Sequence, residues 1–345
     1  MQKTIWKYLL YTAFAFVLVG CENDLDVAAD WTEVAIIYGA LNPSDTKNYI
    51  RIQRTYLDET QSAVKYFNEQ DSLYFDTLIV HIDEYKNGAF VKQFALQKVD
   101  GNEIGYPKDS GVFYSESNML YELSDPIQAS SYTTDYTYTL SVKNPRTGYT
   151  CRANTTSIGN PQVSAPLNEA LGTIQVSTVE DHTVFTRFQE GKWARAYSIE
   201  MVLRVEEFSK SEPAENEIKT LKWKMVNLGK TKRIQGFEEA TYLIPSVNFF
   251  ATVASQLQEN SLVNRRLVDF DLKFYGISDD FNTYLSVNKP SIGIVQKKPE
   301  FTNVDNGLGI FTSRHIKGFY NRQFHNSTLS QLQLSEYTKN LGFVK

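Results

Sequence analysis

The sequence lacks the short motifs by which many catalytic sites are recognised. It contains neither a Gly-x-Ser-x-Gly turn, which would hold a serine nucleophile, nor a His-Glu-x-x-His zinc motif. Gly229-Lys230-Thr231 resembles the end of a phosphate-binding loop, but Lys224 stands where that loop needs its first glycine. The histidines are far apart in the chain, and none has another histidine two or four residues away: His81, His182, His315 and His325. We therefore expect a protein without catalytic residues, metal or cofactor.

An excess of positive charge is also absent. The chain carries 35 lysines and arginines against 40 aspartates and glutamates, a formal net charge of −5 at pH 7. No basic stretch interleaved with aromatic residues stands out, so no nucleic-acid partner is expected. Aromatic residues are abundant, with 21 tyrosines and 21 phenylalanines. Because such side chains fit the half-buried surface of a pleated sheet, this composition favours strands.

Long apolar runs are rare, and the one that stands out covers residues 9–19 near the start of the chain. It is too short to cross a bilayer, and its position between lysines and small residues is typical of a signal peptide, here residues 1–20. Leu18-Val19-Gly20-Cys21 then resembles the bacterial lipobox. The resemblance implies that Cys21 receives a covalent lipid and that the mature protein is anchored to a membrane. The alternative is an ordinary signal, cleaved or retained, in which Cys21 has no special role.

Residues 21–30 are acidic and are expected to form a flexible tether. Glu22, Asp24 and Asp26 follow Cys21 closely. In lipoproteins of Bacteroidota, acidic residues at this place resemble a surface-export signal. The alternative is a linker that is merely solvated.

Cysteine is the scarcest feature of the remaining chain. If Cys21 carries lipid, Cys151 is the only other cysteine, and the mature protein cannot form an internal disulfide. Cys151 lies in a strand-like stretch after a turn. This setting predicts a buried, unreactive thiol rather than a nucleophile.

The first half of the chain reads as short strands separated by turns. Alternating runs at 78–85 and 89–94 flank Asn87-Gly88, a pair that supplies the positive φ angles of a tight hairpin turn. Residues 135–157 predict a second hairpin. Several such strands at short spacing indicate that residues 31–158 form an immunoglobulin-like β-sandwich domain.

The second half, residues 159–345, predicts another β-rich domain with a few short helices. Gly159-Asn160-Pro161 marks the break between the two halves. A hairpin is expected around Asn227-Leu228-Gly229. Apolar residues at helical spacing predict helices near 246–259, 278–286 and 328–341.

Four stretches of turn and strand residues carry a family resemblance. They are Tyr-Gly-Ala-Leu-Asn-Pro-Ser-Asp at 38–45, Gly-Val-Phe-Tyr at 111–114, the hairpin sequence at 138–148, and Asp-Asn-Gly-Leu-Gly-Ile-Phe at 305–311. Together they resemble uncharacterised outer-membrane lipoproteins of Bacteroidota. The resemblance implies a location in the outer membrane, at the cell surface or on the periplasmic face, and a TonB-dependent transporter or surface protein as partner. The resemblance implies no catalytic residues for this chain.

Two pairs of residues are candidates for a binding site. Trp193 and Trp223 lie in predicted strands and could stack on sugar rings, although core packing and cross-strand pairing are the commoner reasons for such residues. Asp269 and Asp271 share one face of a strand. Paired carboxylates suit a glycosidase or a calcium site, whereas the alternative is a solvated outer face.

These observations predict a lipid-anchored extracytoplasmic binding or assembly module without catalysis. The first alternative is a glycan-binding surface lipoprotein, which the aromatic content motivates. The second is an adhesin-like subunit or an enzyme of unrecognised type. An adhesin-like subunit would need an exposed edge strand able to accept a donated strand.

Overall fold

The computed structural model describes residues 33–54, 73–107, 117–166, 172–179, 182–212, 216–231, 237–289 and 300–344. The predicted signal peptide, the lipobox residues Leu18, Val19, Gly20 and Cys21, and the acidic tether lie outside these ranges. In the described ranges, no helix is both long enough and apolar enough to span a membrane.

The described chain is mainly β, as the sequence predicts. Its strands are β1 (Ala35–Leu41), β2 (Asn48–Arg54), β3 (Ile79–Lys86), β4 (Ala89–Ala95), β5 (Gln97–Asp100), β6 (Met119–Leu123), β7 (Tyr136–Lys143), β8 (Thr150–Thr156), β9 (Gln162–Ala165), β10 (Thr173–Ile174), β11 (Thr183–Gln189), β12 (Ala196–Ser209), β13 (Asn216–Lys230), β14 (Glu239–Pro245), β15 (Val263–Ile277), β16 (Val304–Asp305) and β17 (Gly307–Phe324). Its helices are α1 (Val247–Gln256), α2 (Asp279–Val287) and α3 (Asn326–Leu334), with a 3₁₀ turn at Lys339–Leu341.

The two hairpins of the first half are confirmed. β3 and β4 are antiparallel, with Lys86 opposite Ala89 across a two-residue turn. Asn87 and Gly88 in this turn have φ angles of 49° and 82°, the left-handed geometry that the Asn-Gly pair predicts. β7 and β8 form the second antiparallel pair.

The hairpin expected around Asn227-Leu228-Gly229 is wrong. β13 continues through these residues as one strand, antiparallel to β12 along its length. The pairing skips from Ile199 opposite Val226 to Tyr197 opposite Gly229, so Asn227 and Leu228 form a β-bulge. Leu228 has a φ of 49°. Asn227 and Leu228 therefore form a local bulge in the long β12–β13 pairing rather than a reversal of the chain.

The helices lie close to their expected places, with different ends. α2 begins after Ser278, whose hydroxyl accepts a hydrogen bond from the Phe281 amide and caps the helix. α3 begins two residues before the predicted range and stops at Leu334. The chain then forms a separate 3₁₀ turn that ends at Gly342, which has a φ of 71°.

One large sheet runs through both halves of the chain. Its strand order is β13-β12-β15-β17-β1-β2-β6-β5, with β10 also paired to β17. The β1–β17 pairing is parallel and brings Ala35 opposite Gly307 and Leu41 opposite Ser313. A five-stranded sheet has the order β16-β8-β7-β3-β4, and a three-stranded sheet has the order β14-β11-β9.

Two clusters of buried side chains hold these sheets together. The first lies between one part of the large sheet and the five-stranded sheet, and it contains Ile37, Ile52, Ile82 and Leu140. The second contains Phe188, Phe249 and Phe270 and lies between the rest of the large sheet, the three-stranded sheet and α1. Phe311 of β17 belongs to the first cluster, so this cluster is completed by a residue from the end of the chain. The immunoglobulin-like detail and the domain division at 158–159 stay predictions.

Candidate functional site

The outer face of the large sheet is built by strand alternation. In β1, Ala35, Ile37 and Leu41 are buried, so Tyr38 and Ala40 point to the opposite face. In β2, Ile50 and Ile52 are buried, and the alternate residues Tyr49 and Arg51 share the outer face. Polar side chains therefore stand on the outer face of a sheet whose inner face is packed against the core.

A cavity of about 310 Å³ lies on this face, and we call it the Arg51 cavity. Ala40 of β1 and Tyr49 and Arg51 of β2 line the base of the cavity. The small side chain of Ala40 leaves room there. The loop between β1 and β2 and the segment after β5 form its rim. The described residues that line it are Ala40, Asp45, Lys47, Asn48, Tyr49, Arg51, Tyr106, Pro107, Asn118, Leu120 and Arg314.

Two of the three cations in the cavity have a carboxylate nearby. Lys47 Nζ lies 2.8 Å from Glu122 Oε1, and Ser124 donates to the same carboxylate at 2.7 Å. The hydrogen bond to Glu122 raises the pKa of Lys47, and the bond from Lys47 lowers the pKa of Glu122. Arg314 Nη2 lies 3.9 Å from Asp45 Oδ2, a contact too long for a hydrogen bond.

Arg51 differs from these two cations. Its Nη2 donates to Asn118 Oδ1 at 2.8 Å, and Asn118 is itself held by a bond from its Nδ2 to the Tyr106 carbonyl oxygen at 2.5 Å. Among the described residues, Arg51 has no carboxylate partner, and its buried Nε has no hydrogen-bond acceptor. The buried Nε of Arg314 likewise has no hydrogen-bond acceptor among the described residues. Arg51 therefore keeps its charge beside the cavity without a carboxylate among the described residues, and an anionic group on a ligand would compensate that charge.

Two tyrosines complete the cavity wall. The rings of Tyr49 and Tyr106 lie with their centroids 5.1 Å apart and their planes tilted by 54°. Tyr106 is 54% exposed. The cavity therefore combines aromatic faces, amide groups and a guanidinium, which is a set of groups that binds a polar, negatively charged molecule.

A serine–histidine contact lies beside the cavity. His315 is buried, and this burial lowers its pKa to about 4, so the ring is neutral at pH 7. Ser44 Oγ lies 3.3 Å from His315 Nδ1, but it donates to the Ile316 carbonyl oxygen at the shorter distance of 2.7 Å. A serine nucleophile would instead donate to the histidine, so this contact fixes the loop rather than activating Ser44.

The other serine–histidine contacts lie at helix ends. His182 Nδ1 is 2.5 Å from the hydroxyl of Ser246, the residue before α1. His325 accepts a hydrogen bond from the Ser327 amide and caps α3. In the described ranges, no group of three His, Cys, Asp or Glu side chains is placed to hold a metal ion.

The two sugar-stacking candidates, Trp193 and Trp223, differ in their exposure. Trp223 is 3% exposed, and its ring lies 5.6 Å from that of Phe249 in α1. The glycan prediction is therefore wrong for Trp223, because the face of β13 that carries it is packed against the core. Trp193 is half-buried, donates from Nε1 to Asp135 Oδ1 at 2.7 Å, and has a φ of 67°. It stays a candidate.

The paired carboxylates Asp269 and Asp271 do face the same way, but both bind Arg204. Arg204 Nη2 lies 2.7 Å from Asp271 Oδ1, and its Nε bonds to Asp269. Burial would raise the pKa of Asp271, but the bonds from Arg204 and from the Asn321 amide outweigh it and lower that pKa. A general acid needs a raised pKa, so this pair is a structural ion-pair network rather than a glycosidase dyad.

A second cavity, of about 350 Å³, lies over the five-stranded sheet. The described residues around it include His81, Ser141, Arg152 and Asp305, and Cys151 lies at its base. Cys151 is 2% exposed, and burial raises the pKa of its thiol. The prediction that the thiol is buried is confirmed, and its lack of reactivity stays a prediction.

No protein-family model matches the chain, and no curated protein sequence is significantly similar to it. The site therefore rests on its own geometry. Alternation with Ile50 and Ile52 is enough to put Arg51 on an outer strand face, but no local pattern shows that Asn118 and Arg314, distant along the chain, lie beside it.

Proposed function

We propose that this chain is a lipid-anchored extracytoplasmic binding or assembly module of the outer membrane, which contacts a membrane or surface protein, and that the Arg51 cavity holds a ligand. The observation that carries this proposal is the Arg51 guanidinium at a cavity, without a carboxylate partner in the part of the chain that the structure describes. The lipobox ending at Cys21 and the resemblance to Bacteroidota lipoproteins support the location.

Binding explains the geometry better than catalysis does. The paired carboxylates are bonded to Arg204, and the serine–histidine contacts stabilise loops and helix ends. The Arg51 cavity is lined by hydrogen-bonding side chains and aromatic faces, which hold a molecule in place.

A second candidate function is acceptance of a donated strand at β4. This strand is an edge of the five-stranded sheet among the described strands, and Phe90 and Val91 on it are 60% and 46% exposed. Lys92 is its single charge. By contrast, the edge strand β13 carries lysines that discourage pairing: Lys219, Lys222, Lys224 and Lys230. An apolar, unpaired edge is the feature that strand addition requires.

The proposal is tested by capture of the acylated protein from gently solubilised outer membranes, followed by mass spectrometry. We expect a stoichiometric transporter or surface protein, and we expect at least tenfold less of it with Cys21→Ala, because that variant loses the membrane anchor. Capture of the wild-type protein alone would contradict the assembly part of the proposal.

Two further variants separate the modes of contact. Val91→Lys places a charge on the β4 edge, so loss of the partner in this variant alone would assign the contact to strand addition. Arg51→Gln should leave the complex intact if the cavity holds a small ligand rather than the partner.

A further inference from the structure

We propose that the Arg51 cavity binds a sugar-sized ring bearing a carboxylate, such as a uronic acid. This inference rests on the proposed function and deepens it, because it names the ligand class of the same cavity. Three features of the cavity carry the inference: its charge, its size and the chemistry of its wall.

The charge of the site selects a single anionic group. Glu122 neutralises Lys47, and Asp45 lies near Arg314, which leaves Arg51 as the cavity cation without a counter-charge in the part of the chain that the structure describes. A guanidinium presents its donors in a flat fork that matches the two oxygens of a carboxylate. One carboxylate would neutralise Arg51.

The size of the cavity selects a small ligand. At about 310 Å³ it lies at the lower end of the range for ligand sites, which suits one ring rather than a long chain. The tilted rings of Tyr49 and Tyr106 offer aromatic faces on which the carbon-bound hydrogens of a sugar ring can pack.

The wall selects a ligand rich in hydroxyl groups. Apart from Ala40, Pro107 and Leu120, every described lining residue carries a polar or charged side chain. The Asp45 carboxylate can accept hydrogen bonds from hydroxyl groups of the ligand, and the Tyr106 hydroxyl can donate or accept them. An apolar acid would leave these groups unpaired, whereas a neutral sugar would leave Arg51 without an anion.

The test is calorimetric titration of the acylated protein, purified in detergent, with three probes: methyl glucuronide, methyl glucoside and inorganic phosphate. We expect the glucuronide to bind at least tenfold more tightly than either of the others. Equal binding of the glucoside would overturn the role of Arg51, and tighter binding of phosphate would overturn the sugar ring.

Variants locate the binding in this cavity. Arg51→Gln should weaken glucuronide binding at least tenfold, and Arg152→Gln, an exposed arginine beside the other cavity, should leave it unchanged. Tyr106→Ala removes an exposed ring and should also weaken binding while the protein stays folded. Unchanged binding in both cavity variants would overturn the proposal. If no probe binds while capture from membranes still yields a partner, the ligand class is wrong and the proposed function stands.

Discussion

Replacement of Arg265 by alanine is expected to lower the free energy of unfolding by on the order of 3 kcal/mol. Arg265 lies in β15, and its side chain is 3% exposed. It donates to Glu207 at 2.6 Å, to the Leu341 carbonyl oxygen at 2.5 Å and to the Gln258 carbonyl oxygen at 2.8 Å. Its removal takes one of two cationic partners from the buried Glu207, which keeps its bond to Lys219. It also leaves the Leu341 and Gln258 carbonyl groups without this donor and removes one of the contacts that hold the last residues of the chain.

The matched control is Arg266→Ala, one residue along the same strand. Arg266 also binds a glutamate, Glu206, at 2.6 Å, but its side chain is 55% exposed. We expect a loss of no more than about 1 kcal/mol for this exposed pair. Urea titration gives both values from the shift of the midpoint. Equal losses for the two variants would contradict the account of Arg265 as a buried anchor.

Replacement of Gly309 by alanine is expected to destabilise the protein by on the order of 4 kcal/mol, one of the larger effects of a single substitution. Gly309 has a φ of 94°, and an added Cβ would overlap the carbonyl oxygen of Ile37 on the neighbouring strand. Because the obstacle is backbone, β1 and β17 would have to separate. This pair of strands also holds Ala40 and Arg314 at the Arg51 cavity.

Gly88→Ala separates the cost of backbone strain from the cost of steric overlap. Gly88 has a similar φ of 82°, but an added Cβ would meet no atom within 4 Å. The left-handed backbone alone should cost about 1–2 kcal/mol. Thermal unfolding of both variants measures the difference, and a Gly309→Ala protein as stable as Gly88→Ala would show that β1 and β17 are not tightly paired.

The local parts of the fold could be predicted from the sequence. Asn87-Gly88 specifies a tight turn by its own backbone preferences, and alternation assigns each strand an inner and an outer face. These signals act over a few residues. They fail where a long ladder overrides them, as at Asn227 and Leu228, where pairing with β12 on both sides turns an expected reversal into a bulge.

The candidate site could not be predicted, because it depends on which strands become neighbours. Tyr49 and Arg51 resemble an ordinary solvated face when only their own strand is considered. The parallel pairing of β1 with β17 brings Arg314 to them from the other end of the chain, and no local pattern encodes that pairing. The same limit explains Trp223, since its burial depends on α1 covering that face of β13.

We propose that this chain works at a membrane surface through a lipid on Cys21. The most direct test is the intact mass of the protein extracted from the membrane fraction. We predict a chain that begins at Cys21 and carries the added mass of a diacylglyceryl group, with or without a further acyl chain. A chain that retains residues 1–20, or one that begins at Cys21 with no added mass, would contradict the claim.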